Sequence, residues 1–340
     1  METKITHIAV VSIPAFSHQA SIVEFCKRLV HFHHNFHVTC IFTTIDSPPQ
    51  ATITFLQSLP PNIDYIFLPP INKQDLPKGV PLSLQISHAV SQSLPSFHHA
   101  LQSLCSSNNP LVALIADPFA NETLEIAKEF NLLSYIYFPP SAMTLSLFLH
   151  LPTLHEEVSC EYKDYKEAIH IPGCLPIHGN DLPEHLQDRS SLSYELILER
   201  CKRFSLAHGF LVNSFSEIEG ERVSTLVKHC GWNSTLESIV LGVPMITWPL
   251  FAEQRMNAVL LTKGLKVALR PKFNDNDIAE KKEIAEVIKE LMLGEEGHGI
   301  SQRIEELKYV ALSALKEDGS STRALSQFIT DIENFLRHKV

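Results

Sequence analysis

The chain alternates short apolar runs with stretches of helical periodicity. His7-Ile-Ala-Val-Val-Ser-Ile-Pro14 is a near-continuous apolar segment closed by proline, the pattern of a strand buried on both faces of a parallel sheet. Residues 18–34 follow with Ile22, Phe25, Cys26, Leu29 and Val30 at helical spacing and Glu24, Lys27 and Arg28 between them. His37-Val-Thr-Cys-Ile-Phe-Thr-Thr44 is then β-branched and aromatic, completing a βαβ unit. Further strands are predicted at Ile63–Leu68, Leu111–Ala116, Ser134–Phe138, Gly209–Val212, Met245–Trp248 and Lys266–Leu269. Helical patterns cover 84–105, 121–130, 191–207, 234–241, 279–293 and 301–316. This alternation predicts an α/β fold of doubly wound sheets.

Proline and glycine concentrate at 139–140, 152 and 172–183, where the order of elements is hardest to read. Residues 155–183 read as a charged surface excursion, and 216–228 as a linker between two α/β halves. A terminal helix is expected over 317–340, where Ala324, Phe328, Ile332 and Phe335 recur at spacings of three and four after a Gly319-Ser-Ser-Thr start.

Composition narrows the function classes. The 340 residues are 44% hydrophobic and 19% charged, with 28 basic and 38 acidic side chains for a formal charge of −10. That supports a large core in about two domains and argues against nucleic acid or anionic lipid as partner. No apolar run reaches the roughly 20 residues of a membrane span. The opening residues lack signal-peptide architecture, and the seven cysteines form no CxxC pair, so reduced thiols and a cytoplasmic location are expected. A monomer is the expected state.

GxGxxG, GxxxxGK[ST] and GxSxG are all absent, which removes the motifs of a dinucleotide fold, a phosphate loop and a nucleophile elbow. The cluster His31, His33, His34 and His37 falls at a predicted helix end without a carboxylate or thiol close in sequence, so it reads as a decorated helix terminus rather than a metal site.

Two other constellations carry chemistry. His18 follows the first strand and Asp117 follows Leu111–Ala116, both at the carboxyl ends where open α/β sheets place ligands. If those strands are neighbours, the carboxylate would fix the imidazole tautomer and leave the other nitrogen as a base. The competing reading makes Asp117 the cap before Pro118, and spacing alone favours it. In the second constellation, His229 to Glu237, Ser234-Thr-Leu-Glu237 matches a capping box. A helix start there is also a possible phosphate site.

The stretch His229-Cys-Gly-Trp-Asn-Ser-Thr-Leu-Glu-Ser-Ile-Val-Leu-Gly-Val-Pro-Met-Ile-Thr-Trp-Pro-Leu-Phe-Ala-Glu-Gln254 resembles the closing part of the plant secondary-product glycosyltransferase signature of the UDP-sugar-dependent family 1 glycosyltransferases. Val10-Val-Ser-Ile-Pro with His18, Ala116-Asp117 and Val212-Asn-Ser-Phe215 resemble the family's N-terminal half, so the likeness covers almost the whole chain. Within the family the details are most similar to the hydroquinone glucosyltransferase group acting on phenolics.

The resemblance implies a GT-B architecture of two Rossmann-like domains facing a cleft. It divides the chain into an acceptor domain over 1–222, a UDP-sugar domain over 223–316 and the terminal helix 317–340, packing back on the first domain. It makes His18 the general base and Asp117 its partner. His229, Gly231, Trp232, Asn233 and Ser234 would hold the diphosphate, Glu237 the ribose, and Glu253 with Gln254 the sugar, glucose in preference. Direct displacement would invert the anomeric centre with UDP-glucose as co-substrate, a small acceptor as the other partner, and no metal or other cofactor.

The chain departs from the family pattern at one place. The signature's opening Trp-Ala-Pro-Gln segment is missing upstream of His229, where Leu211–Lys228 still reads as the end of the first half. Roughly a hundred residues are lacking, most of a small domain. The second domain is therefore expected to be incomplete. A small-molecule binder that keeps only the acceptor side is the alternative function. A nicotinamide oxidoreductase is disfavoured by the missing glycine fingerprint.

Overall fold

A computed structural model describes residues 5–219, 227–228, 233–249, 252–274 and 278–338. Its elements are β1 (Thr6–Ser12), α1 (Phe16–Phe32), β2 (Phe36–Phe42), α2 (Gln50–Leu56), β3 (Ile63–Phe67), α3 (Leu82–Cys105), β4 (Leu111–Ala116), α4 (Thr123–Glu129), β5 (Leu133–Phe138) and α5 (Ala142–Glu157). There follow α6 (Leu192–Arg203), β6 (Gly209–Val212), α7 (Ser216–Glu219), β7 (Val227–Lys228), α8 (Asn233–Leu241), β8 (Met245–Ile246), α9 (Gln254–Val259), β9 (Ala268–Leu269), α10 (Lys281–Leu293), α11 (Glu295–Ala314) and α12 (Ser320–His338). Contacts group Met1–Pro139 with Lys202–Val212 and Ala324–Val340, and Pro140–Cys201 with Asn213–Arg323.

In the first unit six parallel strands run in the order β3-β2-β1-β4-β5-β6. The apolar run of β1 is buried at every position because it lies between β2 and β4. The chain builds outward from β1 to β3, then returns to continue from β4 on the other side. The reversal lies between β1 and β4, where Val11 pairs with Ala116, and their carboxyl ends adjoin there. From Ala324 onward α12 buries Leu325, Phe328, Ile329 and Ile332 at spacings of three and four. The Phe328 ring packs edge-on to Tyr135, with centroids 4.9 Å apart, and at 6.3 Å from Phe25.

The second unit holds elements that the sequence pattern left unread. Helix α5 carries apolar residues nearly all round and contains Pro152, so neither periodicity nor the proline rule marks it as a helix. Its start is well capped: Ser141 Oγ accepts the Thr144 N–H, and the Glu219 carboxylate accepts the Ala142 and Met143 N–H groups at 3.0 Å each. Residues 155–183 are not a surface excursion. Tyr162, Ile169, Ile171, Ile177 and Leu182 are buried and share one core with Leu147, Leu151, Met256, Leu260, Val267 and Ile304. The charged residues between them face outward and hide the apolar positions from a composition argument. An Arg270–Asp181 ion pair at 2.8 Å ties the same segment to the end of β9. Strands β8 and β9 pair with each other as a two-stranded parallel sheet. Helix α10 buries none of its residues and leaves Ile288, Met292 and Leu293 exposed.

Candidate active site

His18 lies in the first turn of α1. Pro14 ends the apolar run of β1, Ala15 takes an extended conformation at the helix start, and the His18 N–H bonds the Ala15 carbonyl at 3.1 Å. This brings the imidazole to the carboxyl edge of the sheet beside the end of β4. Asp117 stands there with φ −61° and ψ 144°, and its N–H donates to the Val11 carbonyl at 3.0 Å. Asp117 Oδ2 accepts from His18 Nδ1 at 2.7 Å. Its other oxygen, Oδ1, accepts the Phe119 N–H at 2.9 Å and caps the turn Pro118–Ala120. The capping and pairing readings of Asp117 therefore hold together, one on each oxygen.

The carboxylate is buried at 1% side-chain exposure, while the imidazole is 22% exposed. A carboxylate in this position can only accept, so a neutral imidazole bonded to it would place its proton on Nδ1 and its lone pair on Nε2. The Phe119 ring approaches the imidazole edge-on, with centroids 5.9 Å apart. Phe119 had a signal in the sequence only as the residue two beyond Asp117, where a cap accepts its N–H.

The donor-side candidates divide by what is described. His229, Gly231 and Trp232 lie outside the described residues. Ser234 lies within the described span of helix α8, Asn233–Leu241, rather than before it. Ser234 and Glu237 are exposed and three residues apart, on one side of the helix. Glu253 precedes the first residue of α9, Gln254, and both are half-buried.

The histidine cluster has a carboxylate after all. His37 Nε2 meets Asp64 Oδ2 from β3 at 3.0 Å, a partner remote in sequence that spacing does not reveal. His33 caps the end of α1, and burial lowers its pKa below the usual histidine value. Among the described residues no group of three or more His, Cys, Asp or Glu is placed to hold a metal, and no helix is long and apolar enough to cross a membrane.

With this geometry in hand, comparison with known proteins is specific. The profile of the family described as "UDP-glucoronosyl and UDP-glucosyl transferase" matches residues 221–296. A hydroquinone glucosyltransferase of Rauvolfia serpentina is 33% identical over 462 residues, an alignment that takes in 96% of this chain and 98% of the relative. Among solved structures, a Polygonum tinctorium UDP-glucosyltransferase capable of glucosylating indoxyl, in complex with 3,4-dichloroaniline, superposes with TM-score 0.91 at 32% identity, covering 98% of this chain and 99% of that one. Phytolacca americana UGT2, complexed with UDP-2fluoro-glucose and pterostilbene, superposes with TM-score 0.90 at 33% identity, covering 97% and 100%. The fold is accordingly of the GT-B class. The alignment of 462 positions exceeds the 340 residues of this chain, in keeping with an incomplete second domain.

Proposed function

The chain belongs to the plant family 1 UDP-glycosyltransferases, and from that premise we propose that it transfers glucose from UDP-glucose to a hydroxyl of a small phenolic or other lipophilic metabolite. The observation that carries this reading is the His18–Asp117 pair at 2.7 Å, at the point where the strand order reverses. His18 Nε2 takes the proton of the acceptor hydroxyl as its oxygen forms the bond to the anomeric carbon. The bond from that carbon to the diphosphate oxygen breaks with its electron pair, and UDP leaves. The attack comes from the side opposite the leaving group, so the anomeric centre inverts. Buried Asp117 stabilises the imidazolium that forms.

Acceptor recognition belongs to 1–222, donor recognition to 223–316, and the terminal helix to 317–340. His229, Gly231, Trp232, Asn233 and Ser234 hold the diphosphate, where hydrogen-bond donors stabilise the departing charge. Glu237 holds the ribose, and Glu253 and Gln254 hold the sugar hydroxyls. The reading includes a cytoplasmic monomer, which sedimentation and cell fractionation test. It also includes slow turnover, because the missing segment takes away donor contacts.

The length difference favours one further reading, a binder that holds phenolics without transferring to them. Incubation of the pure protein with UDP-glucose and a panel of phenols, read by mass, separates the two. A hexose-bearing product supports transfer; bound phenol without product supports the binder.

A further inference from the structure

Next to His18 stands a buried amide that the proposed reaction does not use. Gln19 is 2% exposed, an unusual place for a glutamine on the inner side of a helix. Its Nε2 donates to the Ile13 carbonyl at 2.9 Å, and its Oε1 accepts from Thr52 Oγ1 at 2.9 Å. Thr52 is 1% exposed and lies on α2. The Ile13 carbonyl also accepts the Ala15 N–H at 2.8 Å, so one carbonyl closes the turn between β1 and α1 and anchors the side chain beside His18.

An apolar residue could fill the same space without the cost of desolvating an amide. What the amide adds is direction. Its two bonds reach back to the end of β1 and across to α2, and both depend on the rotation of the first turn of α1 about its axis. The same rotation sets whether the His18 ring reaches Asp117, because residues 18 and 19 share that turn. We propose that Gln19, held by Thr52, is a positioning residue that fixes the first turn of α1 and so keeps His18 Nδ1 on Asp117 Oδ2. The proposal rests on the reading of His18 as the base and adds to it a support reaching α2.

The test reads the imidazole itself and needs no turnover. Nitrogen-15 spectra of the histidine rings in the 340-residue chain, with His18 assigned by the signal lost in His18→Ala, give the tautomer directly. Thr52→Val keeps the shape and removes the donor; Thr52→Ser restores a hydroxyl; Gln19→Leu removes both bonds. Ser21→Ala is the control, because the Ser21 hydroxyl bonds Tyr137 at 2.8 Å from the same helix two residues further on.

The wild type and Thr52→Ser should show one Nδ1–H tautomer. Thr52→Val and Gln19→Leu should lose it to a mixture, with Ser21→Ala unaffected. An unchanged tautomer in a folded Thr52→Val protein overturns the proposal, as does an equal loss in Ser21→Ala, which would mark a general loosening of the helix. If the wild-type ring already averages between tautomers, the His18–Asp117 reading itself has failed, and this proposal falls with it.

Discussion

His18 and Asp117 meet at 2.7 Å although they stand 99 positions apart in the sequence, and the same carboxylate caps its own turn with its second oxygen. The pairing follows from strand order: β1 and β4 are direct neighbours, and each residue stands just past the carboxyl end of its strand. One oxygen holds the aspartate in place through the Phe119 N–H while the other orients the base. Rigidity and chemistry are coupled in a single side chain.

That division gives different outcomes for two substitutions. Asp117→Asn keeps a carbonyl oxygen for the cap but offers one oxygen rather than two, so the imidazole loses its anionic partner. Turnover should fall by roughly 10²–10⁴-fold, the range for a positioned proton-transfer group, with the unfolding midpoint little changed. Asp117→Ala removes the cap as well and should cost a further ~1 kcal/mol. Chemical denaturation of both variants beside their rates checks the split.

Donor affinity should be low. Stacking on a base contributes about 1–3 kcal/mol in nucleic-acid binders, and each 1.4 kcal/mol is about a factor of ten. Lacking the tryptophan of the family's opening segment, this chain should bind UDP-glucose roughly five- to a hundredfold more weakly than a version carrying the relatives' missing segment. Calorimetric titration of both checks it, and equal affinities would show that the segment contributes nothing to donor binding.

The terminal helix carries a large buried aromatic side chain on its inner face. Phe328 is fully buried between Phe25 and Tyr135. Phe328→Ala should destabilise the protein by about 3–5 kcal/mol, the usual cost of emptying such a site. An exposed neighbour such as Gln327→Ala should cost within about 0.5 kcal/mol. Urea unfolding of the two variants measures the difference.

His185 sets a pH dependence of stability. Among the described residues its buried Nε2 meets no hydrogen-bond partner, and burial together with the nearby Arg200 pushes the imidazole from its ordinary 6.5 down to about 4. The unfolded chain takes up this proton near pH 6.5, the folded chain only near 4. Stability from this group is therefore complete above 6.5 and is lost as pH falls through that window, by about 1–3 kcal/mol. Unfolding measured across the window should show a shallower pH slope for His185→Leu than for the wild type.

Much of the first unit was legible because a parallel sheet buries its strands on both faces. The runs 7–14, 37–44 and 111–116 announce themselves without tertiary information. What joined His18 to Asp117 was not spacing but the adjacency of β1 and β4, which no local pattern encodes. Likewise Asp64 reaches His37 from a neighbouring strand, and Gln19 looks like an ordinary polar helix residue until Thr52 and Ile13 close on it. The segment 155–183 misled for another reason. Its buried residues Val158, Tyr162, Ile169, Ile171, Ile177 and Leu182 fall at irregular intervals, so although they share a core with Met256 of α9 and Ala268 of β9 they carry no periodic signal.

The most direct test of the account is the rate of glucoside formation by His18→Ala in the version carrying the relatives' missing segment, with UDP-glucose affinity measured on the same preparation. If His18 is the base, the rate should fall by roughly 10²–10⁴-fold while donor affinity stays within about threefold of the parent, less than the tenfold that 1.4 kcal/mol represents. A variant that transfers glucose at the parent's rate would contradict the account.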